Sequence, residues 1–145
     1  TAISSRSPIA PHNWECLNKF FQVIHPDLMT IWKDWEYFDM GIRPAQSWVN
    51  LHKRTGYTLE HAHSPCPMVI SCYLKAPEGS GGLLVRDPFE MHRSGYPQEC
   101  QETIWRLIEV KTNDILVFPG WLQHKTQPNN TDEDRVVLTV NYEGF

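Results

Sequence analysis

Four cysteines in 145 residues, Cys16, Cys66, Cys72 and Cys100, form no CxxC pair and share no regular spacing. That removes the usual signature of a structural zinc cluster. A chain of this length also buries enough core to do without disulfides, so a reducing cytoplasm is the expected compartment. No apolar run approaches the ~20 residues that span a bilayer. The first residues lack the charged start and apolar middle of a secretory leader. Basic residues are in deficit as well. Thirteen Lys and Arg stand against 17 Asp and Glu, a net charge of -4, which argues against general nucleic-acid binding. No internal repeat or low-complexity tract divides the chain. One domain over 1–145 is expected, with a small-molecule or peptide substrate and neither nucleic acid nor membrane as partner.

What is present falls into two textures. Between Asn13 and Asp39, Leu17, Phe20, Phe21, Ile24, Leu28, Ile31, Trp32 and Trp35 recur at spacings of three or four. This predicts one or two amphipathic helices within a helical part, residues 1–45, with an interruption near Pro26. From residue 46 onward the pattern is that of short strands. Ser47–Leu51, Tyr57–His63, Met68–Leu74, Leu83–Val85, Thr103–Val110, Asp114–Phe118 and Arg135–Tyr142 are separated by turn-forming segments such as Pro77–Gly82. Strands in this number and spacing predict a mainly β chain with an antiparallel sandwich or jelly-roll over 46–145. The stretch from Pro88 to Gln101 is polar, has no period, and is long for a connection. It reads as a loop over the mouth of a site.

The chemistry is concentrated in three histidines and an arginine. His61 and His63 lie two apart in an alternating run, so a strand would aim both imidazoles at one face. His124 follows a strand-like run and the turn Pro119-Gly120, and Arg135 opens the last strand. Imidazole binds iron, zinc, copper and nickel, and three protein ligands leave coordination positions open for chemistry. The arrangement predicts a catalytic metal site. His12, His25, His52 and His92 carry no such pattern and read as surface or hydrogen-bonded residues. Arg135 has a competing reading, as a surface partner of Asp132, Glu133 or Asp134. Tyr73 and Thr139 are also compatible with ordinary strand positions, and Asp87 with a turn before Pro88. Trp14, Trp32, Trp35 and Trp105 read as core, and Trp48 and Trp121 as borders of the pocket.

Three segments in order, His61-Ala62-His63-Ser64-Pro65, Gly82-Leu83-Leu84-Val85-Arg86-Asp87-Pro88 and Phe118-Pro119-Gly120-Trp121-Leu122-Gln123-His124, are followed by Arg135-x-x-x-Thr139. Over residues 46–145 this order resembles the 2-oxoglutarate and Fe(II)-dependent oxygenases, nearest the bacterial and phage branch related to prolyl hydroxylases. The resemblance implies a double-stranded β-helix, with Fe(II), 2-oxoglutarate and O2 used to hydroxylate an unactivated C–H bond, such as that of a peptidyl proline. Carried over by position, His61 and His124 would bind iron, and His63 falls where most of the superfamily has an aspartate. Arg135 would bind the distal carboxylate of 2-oxoglutarate, with Tyr73 and Thr139 assisting. Asn50, Asp87, Trp121 and Asn141 are candidate pocket residues.

The third ligand is open at this point. It is His63 directly, or a carboxylate from Asp87 or Glu60. Strand parity favours His63, because it puts Glu60 on the opposite face. Two other classes fit the same histidines. A cupin-type dioxygenase or isomerase would use the metal without a keto acid, although the glutamate expected shortly after the His-x-His pair is missing. A non-catalytic jelly-roll binding module would hold a fully coordinated structural metal.

Overall fold

The computed structural model describes residues 2–4, 7–37, 41–90 and 104–145. Among these residues eight strands form two antiparallel sheets facing each other, with one α-helix outside. The strands are β1 (Ile3–Ser4), β2 (Ile42–His52), β3 (Met68–Lys75), β4 (Leu83–Arg86), β5 (Trp105–Ile108), β6 (Ile115–Phe118), β7 (His124–Thr126) and β8 (Arg135–Gly144). The larger sheet runs β1-β2-β8-β3-β6 and the smaller β5-β4-β7. This is the expected mainly β jelly-roll with an N-terminal helix.

Both faces of the larger sheet are covered, which explains why β3 is apolar almost throughout. Met68, Ile70 and Cys72 from β3 and Leu138, Val140 and Tyr142 from β8 face outward, onto Leu28 and Trp32 of helix α1 (Asn18–Asp34). The alternate residues face inward between the sheets, where Val69, Leu83 and Phe118 pack together. The polar residues of β2 and β8 share that inner space, and there the site is built.

Three expectations change. The interruption at Pro26 does not occur, and α1 continues through it. Proline removes one helical donor, but Pro26 and Gln22, whose carbonyl loses its bond, are both exposed, where water can serve that carbonyl. Strand β2 begins at Ile42, earlier than the alternation suggested, and the N-terminal part also contributes β1 along its edge. Residues 57–63 do not form a regular strand. Thr58 pairs with Thr126 and His61 with His124, so three steps along one chain oppose two along the other. This bulge-like offset ends the ladder. The loop expected at 88–101 lies outside the described residues from 91 onward, as do His92, Cys100 and the start of the strand expected at Thr103. No helix among the described residues is long and apolar enough to cross a membrane.

Candidate metal centre

His124 is 4% exposed at the start of β7, and its backbone N–H and C=O both bond to those of His61. One bridge therefore sets two candidate ligands side by side. His63 arrives two residues later, its N–H donating to the Gly120 carbonyl at 2.7 Å. Gly120 is required there, because a Cβ would lie 2.0 Å from the Cys66 carbonyl oxygen.

The three rings converge. Their centroids are 4.3 Å (His61–His124), 4.9 Å (His61–His63) and 5.1 Å (His63–His124) apart, and one ligand atom from each lies within 4.8 Å of the others. Each Nδ1 has its own acceptor. His61 donates to the Leu59 carbonyl, His124 to the Leu122 carbonyl, and His63 to Asn141 Oδ1, each at 2.8 Å. With Nδ1 carrying the proton, every Nε2 presents a lone pair, and those of His61 and His63 are 3.1 Å apart. Fixing the remote ring nitrogen is how proteins select a ligand tautomer. Asn141 is oriented in turn by Nδ2, which donates to Gln46 Oε1 at 3.3 Å, and Trp48 stacks on His63 with ring planes 13° apart.

At His63 and His124 the electrostatics favour neutral rings. Burial brings the His124 imidazole down to about 4, against a weaker upward effect of the Leu122 carbonyl. Burial also lowers His63, opposed by its bond to Asn141. Neutral imidazole is the form that binds metal. No carboxylate among the described residues joins the cluster. Glu60 pairs with Arg86 at 2.6 Å, and Asp87 Oδ1 accepts the Phe89 N–H at 2.8 Å. The glutamate that a cupin would need does not come from elsewhere among these residues either.

Behind the histidines the inner faces of β2, β3 and β8 line a narrow cavity of about 30 Å³. Its walls include Trp48 and Asn50, Ser71 and Tyr73, and Val137 and Thr139. The hydroxyls of Ser71, Tyr73 and Thr139 have no side-chain partner among the described residues, and all three residues are buried. Burial pushes the Tyr73 phenol up to about 12, so it remains a donor. Asn50 also lines the cavity, with its Oδ1 accepting from Ser4 Oγ at 2.7 Å. Trp121 and Asp87 line a separate hollow with Arg86, Pro88, Glu90 and Gln123, and Trp121 is 56% exposed.

Arg135 is completely buried. The acidic loop does not pair with it: Asp132 is bound to Arg54 and Glu133 to Lys75. Its guanidinium Nη1 instead donates to the Ser80 carbonyl and to the Gly81 carbonyl at 3.1 Å, Nη2 to the Gln127 carbonyl at 2.9 Å, and Nε to His52 Nδ1 at 3.4 Å. Four of its five N–H groups are thus committed, leaving one on Nη2 without a protein acceptor among the described residues. Sequence reasoning missed His52 and Ser71. Both had a signal, since His52 is in phase with Trp48 and Asn50, and Ser71 with Tyr73.

A jelly-roll with three convergent imidazoles at one end is a double-stranded β-helix with a candidate metal site. Residues 46–141 match the family described as "Putative 2OG-Fe(II) oxygenase", and the chain belongs to that family. Solved structures share the fold. A Pseudomonas putida prolyl-4-hydroxylase superposes with a TM-score of 0.66 at 12% identity, covering 99% of this chain and 71% of the other. HygX from Streptomyces hygroscopicus, with nickel and 2-oxoglutarate bound, gives 0.62 at 13%, covering 99% and 70%. An oxidoreductase of the 2OG-Fe(II) oxygenase family from Burkholderia pseudomallei gives 0.61 at 12%, covering 86% of this chain, which spans about half (55%) of that one. No curated protein sequence matches this chain.

Proposed function

We propose that this chain is an Fe(II)/2-oxoglutarate-dependent dioxygenase that hydroxylates an unactivated C–H bond. The observation that carries the reading is the convergence of three imidazoles, each with Nδ1 bonded to its own acceptor, within a chain of this family. The donor set fits: three imidazoles suit iron, nickel or zinc and leave an open face for a chelating acid and dioxygen. When bound, iron with 2-oxoglutarate and O2 supplies the oxidising chemistry, and the protein positions and shields.

His61, His63 and His124 would hold the metal. Arg135 keeps a full positive charge in the interior with no carboxylate paired to it among the described residues, so a dicarboxylic cosubstrate offsets a cost of several kcal/mol. Its free Nη2 N–H and the hydroxyls of Tyr73 and Thr139 are the donors for that acid. The cavity has room for only a water or two as it stands, so the keto acid enters as the walls part. Substrate choice belongs to the rim. A peptidyl side chain is the first class to test, because one neighbour in fold is a prolyl-4-hydroxylase.

Anaerobic Fe(II) with 2-oxoglutarate should give a weak visible charge-transfer band, and Arg135→Ala should remove it. Absence of the band in the intact protein, together with no keto-acid affinity, overturns the proposal.

A further inference from the structure

We propose that His52 is a positioning residue for the cosubstrate: a neutral acceptor that orients Arg135 without cancelling its charge. The inference rests on the reading of Arg135 given above. His52 and Arg135 are cross-strand partners in β2 and β8, and both are almost wholly buried. The Arg135 Nε–H donates to His52 Nδ1 at 3.4 Å, and His52 Nε2 stands 2.8 Å from Thr58 Oγ1. Because Nδ1 accepts, the ring proton is on Nε2 and is donated to that hydroxyl, which fixes the tautomer.

Among the described residues, all other acceptors on the guanidinium are backbone carbonyls. The imidazole is the single side chain among these residues that is hydrogen-bonded to it, and it lines the same cavity as Tyr73, Thr139 and the three metal-site histidines. Elsewhere among the described residues arginines pair with carboxylates: Arg43 with Glu143, Arg54 with Asp132, Arg86 with Glu60 and Glu90. Arg135 differs from them. A carboxylate at position 52 would make the same hydrogen bond but fill the role that the cosubstrate's own carboxylate has to play. A neutral imidazole holds the guanidinium plane and leaves its charge for the ligand. The fold thus reserves a buried cation for an exchangeable anion.

Asp and Asn at position 52 separate these effects, since they differ in charge and hardly in shape. 2-Oxoglutarate is titrated into anaerobic Fe(II) protein by its charge-transfer band, and into Zn(II) protein by calorimetry. His52→Asn should bind 2-oxoglutarate within about threefold of the parent. His52→Asp should bind at least about tenfold more weakly, because its charge competes at the guanidinium. Metal affinity should stay unchanged in both, and the melting temperature of His52→Asp should be no lower than that of His52→Asn.

Equal affinity in the Asp and Asn variants overturns the inference, as does a loss of metal binding parallel to the loss of 2-oxoglutarate. Should His52→Asp fail to fold, His52→Leu, which has no acceptor, is compared with His52→Asn, and equal binding there also overturns it. Arg135→Ala separates the two readings. If it binds 2-oxoglutarate like the parent, the assignment of Arg135 falls and this one with it. If it loses binding while His52→Asp does not, only the role of His52 falls.

Discussion

Asn141 shows how much a site can owe to a residue that never reaches the metal. Its Oδ1 takes the His63 Nδ1 proton and its Nδ2 is held by Gln46, so one amide decides which nitrogen of His63 faces the cluster. His63 needs this help more than its neighbours, since it lies beyond the last ladder bond of its segment. Asn141→Leu should leave the fold intact and weaken divalent-metal binding by about ten- to a hundredfold, the usual cost of a lost ligand orienter. Competition with a coloured chelator measures it, and unchanged affinity would show that the stack of Trp48 on His63 suffices alone. At this scale the three histidines that converge were legible in the sequence, because histidine spacing is itself the signal. The engagement of Arg135 was not. Its partners are backbone carbonyls of residues 80, 81 and 127, and backbone contacts leave no side-chain pattern to read.

Among the elements, strands β3, β4, β6 and β8 were legible, each being an apolar run bounded by turn residues. Strands β1 and β7 were not, as two or three residues contain no period. Tyr57–His63 alternates well yet is no strand, because the side chain and backbone of Thr126 both engage the backbone of Thr58 and the register slips beyond it. Trp105, read as core, instead lies under Lys125 and Arg86 on the smaller sheet, with the Lys125 ammonium 4.0 Å from its ring. The turn at Pro119-Gly120 links elements to site most directly, since it accepts the His63 N–H while resting against Cys66. Gly120→Ala drives a methyl into that carbonyl, so it should cost about 2–3 kcal/mol and weaken metal binding in the same variant. Thermal melts with and without metal test both, and a variant as stable as the parent would show that the turn moves freely away from Cys66.

For the molecule as a whole, acid is the expected weakness. His52 and His124 are each buried with values near 4 against 6.5 when unfolded, burial being the main cause in both. As pH falls through 6.5 the unfolded chain takes up protons that the folded chain refuses until about 4. Stability of the metal-free protein should therefore fall across that window, by an amount on the order of several kcal/mol for the pair. Urea unfolding in the presence of a chelator, at steps between pH 7.5 and 4.5, reads this directly, and a flat profile would contradict the burial of these two rings. The fold class was open to sequence reasoning because short apolar runs bounded by turn residues recur along residues 46–145. The narrowness of the interior was not, since it depends on how far two sheets stand apart. One feature of that interior reaches further. Arg135, Val137, Thr139 and Asn141 occupy successive inward positions of a single strand, so the proposed anchor at one end and the candidate metal site at the other are graduations on the same ruler. On the proposed function, adapting the site to a longer or shorter acid would then fall to the marks between them, Val137 and Thr139, while both ends stay as they are.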